Sequence, residues 1–195
     1  AANFFVPFAR EYVLSLGCCN ASRETFRRVL AKGPGRAVCV VVGGAAESLE
    51  AEPGTMSLIL EKRKGFVREA ILAGANLVPC LAFGENELYS VHRPPEGSWL
   101  DRAQRAVLRA AHVGVPLFNG RSVLYKDAGL MPCRRPVMVV VGAPIAPPPR
   151  GDTQAAIDQM HADYIEALRA LYEAHKDAAW NVPGLCRKSE LRFVQ

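Results

Sequence analysis

The sequence predicts an α/β fold, in which helices cover a sheet within a single domain. Two observations carry this prediction: short β-branched apolar runs that are typical of buried strands, and amphipathic segments between them that are typical of helices. The chain has 195 residues, 50% of them hydrophobic, which is long enough for one domain with a sizeable core. We expect parallel strands, because a continuous apolar run is typical of a strand covered on both faces.

Three segments are predicted to be strands. Each is an apolar run bounded by glycine or proline, the residues that most often interrupt regular structure. The runs are AVCVVV at 37–42, LVPCLAF at 77–83 and VMVVV at 137–141. The first ends at Gly43 and Gly44, and the second ends at Gly84. A crossover helix between the first two runs would make them parallel neighbours.

Four segments are predicted to be helices, from their apolar periodicity and from the residues at their ends. They lie at 22–31, 65–73, 98–114 and 152–176. Ser22 is suited to cap the first helix, and Asp152 or Thr153 the last, because their side chains accept hydrogen bonds from free backbone N–H groups. Gly74 is suited to end the second helix, because glycine tolerates the left-handed conformation of a C-cap.

Positive charge is concentrated in the middle of the chain. The formal net charge is +5, and residues 61–150 contain 13 basic and 7 acidic side chains. This excess could bind phosphate groups or an anionic membrane surface. Nucleic acid is not expected, because interleaved aromatic residues and groove-reading motifs are absent. The helix at 98–114 carries arginines along one face, which suits either a membrane surface or an ordinary solvated face.

The sequence lacks the motifs that are typical of several functional classes. None of the six cysteines forms a C-x-x-C pair, and none of the four histidines has a partner at metal-ligand or catalytic-triad spacing, so we expect no metal site. Serine-hydrolase and P-loop motifs are also absent. No window is apolar enough to span a bilayer. Because the chain starts at Ala1 rather than methionine, we expect that the N-terminal part of a longer protein is missing.

The turn after the first predicted strand is one candidate site. Gly43, Gly44 and then Glu47 follow that strand at its carboxyl end, the edge where open α/β sheets bind ligands. The glycines would let a ligand approach backbone N–H groups, and the carboxylate could hold a hydroxyl or orient a base. A plain tight turn followed by a solvated glutamate explains the spacing equally well.

Four basic residues form a second candidate site, which we call the basic collar: Lys62, Arg63, Lys64 and Arg68. They cluster around the N-terminus of the helix predicted at 65–73. Helix N-termini attract anions, and nearby cationic side chains strengthen that preference. The functional interpretation is a ligand that carries phosphate. The alternative is a solvated charged loop, which is the commoner origin of such a run.

Several ordered blocks resemble one protein family. RKGFVR at 63–68, GANLVP at 74–79 and FGENELY at 83–89 are similar to the signature of the type 2 diacylglycerol acyltransferase family, which also holds monoacylglycerol and wax-alcohol acyltransferases. Further blocks follow in family order, among them NFFVPF at 3–8 and RRPVMVVVGAPI at 134–145. The resemblance covers nearly the whole chain up to Gly184, and it implies a glycerolipid-acyltransferase-like sheet covered by helices.

The resemblance implies an enzyme that transfers a fatty acyl group from acyl-CoA to diacylglycerol, with no metal or redox cofactor. Monoacylglycerol and long-chain alcohols are alternative acceptors, and a non-catalytic module that binds lipid or acyl-CoA is a further alternative. The implied partners are acyl-CoA, a neutral lipid and a membrane surface, and a homo-oligomer is left open. The implied location is the cytosolic face of the endoplasmic reticulum membrane, together with lipid droplets.

The family motifs also assign roles to single residues. Acyl-CoA would bind at Arg63, Lys64, Gly65, Phe66 and Arg68. The acceptor pocket would include Gly43, Gly44, Pro79, Gly84, Glu85 and Asn86. Glu47 is the candidate catalytic group within the chain.

The family's His-Pro-His-Gly motif and hydrophobic anchor lie upstream of NFFVPF in the family and are absent from this sequence. The resemblance therefore identifies residues 1–195 as the C-terminal portion of an acyltransferase domain. In the family, the histidine of the His-Pro-His-Gly motif is expected to act as the base on the acceptor hydroxyl. We expect the chain alone to fold without catalysing acyl transfer.

Overall fold

The computed structural model describes residues 8–44, 47, 53–92, 94–95, 97–111, 117–122, 129, 131–149, 153–183, 185 and 190–194. The helices are α1 (Ala9–Ser15), α2 (Arg23–Leu30), α3 (Gly65–Ala73), α4 (Trp99–Ala111) and α5 (Gln154–Trp180). The strands are β1 (Ser57–Ile59), β2 (Cys80–Phe83), β3 (Ser90–His92), β4 (Leu117–Asn119), β5 (Met138–Val141) and β6 (Arg192–Val194). A 3₁₀ turn at Asn86–Leu88 follows β2.

The helix ends are largely where the sequence predicts them. The Ser22 side chain accepts a hydrogen bond from the backbone N–H of Thr25 at 3.2 Å, which caps α2. Thr153 caps α5 in the same way, through the N–H of Ala156 at 3.3 Å. The alternative cap, Asp152, lies outside the described residues. Gly74 ends α3 in the left-handed conformation, with φ 61°.

The prediction of a parallel sheet was wrong for the segments at 77–83 and 137–141. The last four residues of each segment form β2 and β5, which pair antiparallel, with Cys80 opposite Val141 and Phe83 opposite Met138. In the described part of the chain the strands occur as three separate pairs, of which β1 with β6 is parallel. The apolar run of β5 was misleading because one face is uncovered: Val139 is 61% exposed and Val141 65% exposed.

The segment at 37–42 was also predicted to be a strand, and it forms none. Val41 is 78% exposed, so the run is not covered on both faces. Strand propensity mainly reflects packing against cross-strand neighbours. In the structure, residues of this segment and of β2 line the same cavity, and β2 pairs with β5.

The main core lies between β2 and α5. Leu81 and Phe83 are buried and face the helix. The ring of Phe83 stacks on Tyr172 with 5.8 Å between centroids, and it meets Trp180 edge-on at 5.9 Å. Aromatic pairs of this geometry add to the free energy gained from burial. The packing fixes β2, and with it the turn that follows β2.

A second packing region, which we call the helix contact, joins α2, α3 and α5. The buried carboxylate of Glu69 on α3 accepts hydrogen bonds from Arg27 on α2, at 2.7 and 3.1 Å. Val67 on the same helix is fully buried and packs against Ile157 and Met160 of α5. This contact positions the N-terminus of α3, where the basic collar lies.

No helix among the described residues combines the length and apolar character that crossing a bilayer would require.

Candidate functional site

A cavity of about 330 Å³ lies between the irregular segment at 39–43, β1 and β2. Its walls are mostly apolar, and α5 contributes Tyr164, Leu168 and Trp180 to them. Ligand pockets commonly measure about 300–1,000 Å³ and combine apolar walls with a few polar groups. The volume and lining are therefore those of a ligand site.

The backbone of β2 forms part of the cavity wall. Leu77 exchanges both of its backbone hydrogen bonds with Ile145, and the carbonyl of Pro79 accepts from Gly142. Because hydrogen-bonded residues alternate along an antiparallel strand, the N–H and C=O groups of Cys80 and Ala82 point away from β5. Both residues line the cavity. A ligand could therefore contact backbone polar groups along this edge.

Glu47 lines the cavity and is held against Gly43. Its Oε2 atom accepts a hydrogen bond from the N–H of Ile59 at 3.1 Å. A side chain at position 43 would overlap the Glu47 side chain in its present position, so Gly43 leaves room for the carboxylate to lie there. Burial raises the pKa of the Glu47 carboxyl, the Ile59 N–H opposes this change, and the charge of Glu85 adds to it. A carboxyl with a raised pKa is better suited to exchange a proton near neutral pH.

The turn after β2 supplies further polar groups to the cavity. Asn86 donates from Nδ2 to the carbonyl of Thr55 at 3.0 Å, and Glu87 Oε1 accepts from the N–H of Gly54 at 2.7 Å. Gly84 begins the turn with φ 86°, and a side chain there would meet the backbone carbonyl of Pro136. These contacts hold the turn in place at one end of the cavity.

Two polar atoms of cavity-lining residues are buried without a partner in the part of the chain that the structure describes: Glu87 Oε2 and Trp180 Nε1. Sequence reasoning missed both residues. Glu87 could have been found from the sequence, because it lies in the FGENELY block, two positions after the predicted site residue Glu85 and on the same turn. Trp180 gave no signal, since it reaches the cavity only through the packing of α5.

The structure brings some of the predicted site residues together and separates others. Those that line the cavity are Gly43, Glu47, Gly84, Glu85 and Asn86. Those that do not line it are Gly44, Arg63, Lys64, Gly65, Phe66, Arg68 and Pro79. Two members of the second set contact residues that line the cavity: Arg63 contacts Leu60, and Phe66 contacts Tyr164.

The basic collar lies beside the cavity wall. The backbone N–H of Arg63 donates to the carbonyl of Leu60, a buried cavity-lining residue, at 2.9 Å. Arg63 itself is exposed, and within the described residues its side chain forms no ion pair. Lys64 differs, because its Nζ lies 2.6 Å from Oδ1 of Asp158 on α5. Lys64 thus already has an anionic partner in the protein.

Phe66 and His161 have structural contacts. Phe66 meets the ring of Tyr164 edge-on at 5.2 Å, and it therefore supports the cavity wall from behind. The Nε2 atom of the buried His161 lies 3.1 Å from the carbonyl of Leu60. Among the described residues, no group of three or more His, Cys, Asp or Glu side chains is arranged to hold a metal ion.

Comparison with known proteins identifies the family of this chain. A family model described as diacylglycerol acyltransferase matches residues 1–185. Diacylglycerol O-acyltransferase 2B of Umbelopsis ramanniana is 44% identical over 182 residues, which are 91% of this chain and 52% of that protein. Human 2-acylglycerol O-acyltransferase 1 is 42% identical over 177 residues, which are 89% of this chain and 52% of that protein.

The chain spans about half the length of the curated relatives that it matches. No solved structure matches it, so the glycerolipid-acyltransferase-like sheet stays a prediction. The match over residues 1–185 and the identities above 40% nevertheless establish the relationship. The chain belongs to the diacylglycerol acyltransferase family.

Proposed function

We propose that the protein transfers a fatty acyl group from acyl-CoA to the free hydroxyl of diacylglycerol and so forms triacylglycerol. The observation that carries the proposal is the family match together with an apolar cavity that contains carboxylates and backbone polar groups. An apolar wall suits the acyl chains of both substrates, and a small number of polar groups would orient the reacting hydroxyl.

The reaction requires one proton transfer. The acceptor oxygen forms an ester bond with the acyl carbonyl carbon, the thioester C–S bond breaks, and the CoA sulfur leaves and gains the proton. A general base accelerates such a step by about 10²–10⁴-fold. Within the described cavity Glu47 is the candidate group, whereas the family resemblance implies a histidine of the His-Pro-His-Gly motif.

The basic collar is the proposed site for the phosphates of CoA. Arg63 is exposed next to cavity-lining Leu60, so the pantetheine arm of a CoA whose phosphates bind there could extend toward the cavity. Charge-assisted hydrogen bonds from guanidinium to phosphate are among the strongest in proteins. Lys64 would have to exchange its contact with Asp158 for a contact with phosphate.

We place the protein at the cytosolic face of the endoplasmic reticulum membrane and at lipid droplets, where a lipid acceptor would be available. The exposed arginines of α4 support contact with an anionic lipid surface. Arg105 on that helix is 2.7 Å from Asp101, so part of the charge is compensated within the helix itself.

Monoacylglycerol is the second candidate acceptor, because one of the relatives is named 2-acylglycerol O-acyltransferase. The two acceptors differ by one acyl chain and one hydroxyl. Relatives named for each of the two acceptors match this chain to a similar degree, so the shared family motifs do not separate the branches.

The test supplies the protein with labelled acyl-CoA and equal amounts of diacylglycerol, monoacylglycerol and a long-chain alcohol in detergent micelles. We compare residues 1–195 with a chimaera that adds the part of the Umbelopsis relative that this chain does not match, where the family resemblance implies the His-Pro-His-Gly motif. We expect triacylglycerol from the chimaera, and acyl-CoA binding without turnover from residues 1–195. Predominant wax ester would overturn the choice of acceptor. Acyl-CoA binding without any product from the chimaera would favour the non-catalytic module.

A further inference from the structure

The C-terminal strand β6 lies beyond the residues that the family model matches, and it pairs with one wall of the cavity. The family model matches residues 1–185, whereas β6 is Arg192–Val194. β6 runs parallel to β1, with Val194 opposite Ile59. All three residues of β1 line the cavity. A segment outside the matched range therefore holds part of the candidate site.

The position of β1 depends on β6. β1 is three residues long, and in the described part of the chain β6 is its strand partner. The backbone N–H of Arg192 donates to the carbonyl of Met56, just before β1, at 2.9 Å. A strand this short is not stable without neighbours, so its place in the cavity wall is set by the elements that pair with it.

Contacts with α5 hold β6 in place. The guanidinium of Arg169 lies 4.8 Å from the centre of the Phe193 ring, a cation–π contact. Phe193 also packs against the main core, as does Leu58, its opposite residue on β1. Next to the strand, a Glu190 carboxylate oxygen lies 3.5 Å from Nζ of Lys176 on α5. β6 thus connects β1 to the long helix.

The two edges of β1 have different partners. Along a paired strand, the backbone N–H and C=O groups of successive residues point to opposite edges. Met56 accepts from Arg192 of β6, so the backbone groups of Ile59, three residues later, point to the other edge. There the N–H of Ile59 donates to Oε2 of Glu47 at 3.1 Å. The strand is therefore fixed by β6 on one edge and holds the candidate carboxylate on the other.

We propose that β6 is a positioning element for the candidate site: it holds β1 where the N–H of Ile59 meets the Glu47 carboxylate. Phe193 is the positioning residue, because its ring attaches β6 to the core and to Arg169. Phe193 does not line the cavity, so it acts through β1 and not on a substrate. The inference deepens the proposed function, on which its catalytic relevance rests, by naming the segment that places Glu47.

The test follows amide hydrogen exchange of residues 1–195, resolved residue by residue by NMR. Arg192→Pro removes the N–H that donates to Met56, whereas Arg192→Ala keeps it and is the matched control. We expect the Ile59 N–H to exchange about tenfold faster or more in the proline variant than in the alanine variant. The amides of Leu81 and Val140, in the β2–β5 pair, should exchange equally in both, because that part of the fold is independent of β6.

Phe193 is tested by one change that removes its ring and one that keeps it. Phe193→Ala loses the packing against the core and the contact with Arg169, and it should also speed exchange of the Ile59 N–H. Phe193→Tyr keeps a ring beside the guanidinium and should leave the wild-type rate. Phe8→Ala is the control, because Phe8 is 90% exposed.

Glu47→Ala distinguishes positioning of the carboxylate from simple stabilisation of β1. Combined with Arg192→Ala, it should speed exchange of the Ile59 N–H about tenfold, because the hydrogen bond to Glu47 is present in that background. Combined with Arg192→Pro, it should add little, because that hydrogen bond is already lost. Equal effects in the two backgrounds would mean that β6 does not place Glu47, and they would overturn the inference.

The outcomes separate this inference from the proposed reaction. In the chimaera, Arg192→Pro should lower kcat for triacylglycerol about tenfold or more relative to Arg192→Ala, because misplaced catalytic groups slow the reaction. Equal exchange of the Ile59 N–H in the two variants would overturn the inference even if the chimaera makes triacylglycerol. Faster exchange in the proline variant, in a chimaera that forms no triacylglycerol, would support the positioning role and reject the reaction.

Discussion

In the helix contact the polar side chains described above have partners, whereas two residues that line the cavity have buried polar atoms without a partner among the described residues. Glu69 in the helix contact is buried, and both of its oxygens accept from Arg27. Glu87 in the cavity has one oxygen bound to Gly54 and the other buried without a partner among the described residues. Both glutamates are at least partly buried. They differ in how many of their carboxylate oxygens have a hydrogen-bond partner among the described residues.

This difference suggests that the helix contact serves stability, whereas the cavity serves binding. A buried carboxylate whose two oxygens both accept from an arginine on a neighbouring helix holds the two helices together. One that is half paired lowers stability unless water or a ligand completes it. The basic collar lies between the two regions, with Lys64 paired to Asp158 and Arg63 exposed.

Phe83→Ala should destabilise the chain most. Phe83 is fully buried between Tyr172 and Trp180, and truncation of such a residue costs about 3–5 kcal/mol in the free energy of unfolding. Denaturant titration measures the change. Phe8→Ala is the matched control, because Phe8 is 90% exposed and should cost less than about 0.5 kcal/mol. Similar costs at both positions would mean that the core does not lie between β2 and α5.

Arg27→Ala should loosen the helix contact. It leaves the buried Glu69 carboxylate with Arg23, 3.7 Å away, as its remaining basic neighbour in the described chain. We expect the melting temperature to fall by at least about 4 °C. The neighbouring Arg28 forms an exposed pair with Glu24, so Arg28→Ala should lower it by less than about 2 °C. Equal shifts for the two arginines would contradict a structural role for Glu69.

Arg63→Ala should weaken the use of acyl-CoA by a catalytically active chimaera. A charge-assisted hydrogen bond contributes about 1.5–3 kcal/mol, so the KM for acyl-CoA should rise about tenfold or more, with folding unaffected. Steady-state kinetics on a variant with wild-type melting temperature gives the answer. Arg36→Ala, another exposed arginine, is the control. An unchanged KM would remove Arg63 from the site.

Asp158→Asn should have a smaller effect in the opposite direction. The Lys64 ammonium lowers the pKa of Asp158 through their hydrogen bond, so the carboxylate is ionised and competes with phosphate for Lys64. Removing its charge should lower the KM for acyl-CoA by about two- to threefold, within the range typical of exposed ion pairs. Asp163→Asn on the same helix is the control. A higher KM would show that the ion pair helps to shape the site.

Glu47→Gln should change how stability depends on pH. Burial raises the pKa of Glu47, so the folded chain binds this proton more tightly than the unfolded chain does. The associated stability is present below the unfolded pKa and is lost as the pH rises through the folded pKa. Glutamine can still accept from the N–H of Ile59 but does not titrate. Stability measured from pH 4 to pH 8 should therefore decline less in the variant; parallel profiles would contradict the raised pKa.

Local features were predictable from the sequence, and long-range pairing was not. The caps at Ser22 and Thr153 and the end of α3 at Gly74 depend on side chains and backbone within a few residues. The direction of β2 against β5 depends on residues almost sixty positions apart. An apolar run has the same composition whether its second face is covered or exposed. The composition of these runs therefore could not show whether the strands are parallel or antiparallel.

The same distinction between local and long-range contacts applies to the candidate site. Gly43 and Glu47 are close in sequence, and the structure places them together in the cavity wall. Trp180 joins that wall only because α5 packs along β2, and its unpaired N–H becomes visible only when every neighbour is known. The partner of Lys64 is 94 residues away, so the sequence could indicate a cluster of cations but not which of them is already neutralised.

The exposed face of β5 has a consequence for the behaviour of the isolated chain in solution. Its outward valines form a β-branched, uncharged strand, and short segments of this kind promote aggregation when they are accessible. The flanking residues counteract that tendency. Arg134, Arg135 and Pro136 precede the segment and Pro144 follows it, and charges and prolines at such positions hinder the addition of another strand. Replacing the two arginines with serine should lower the concentration at which the chain begins to precipitate, without changing its melting temperature.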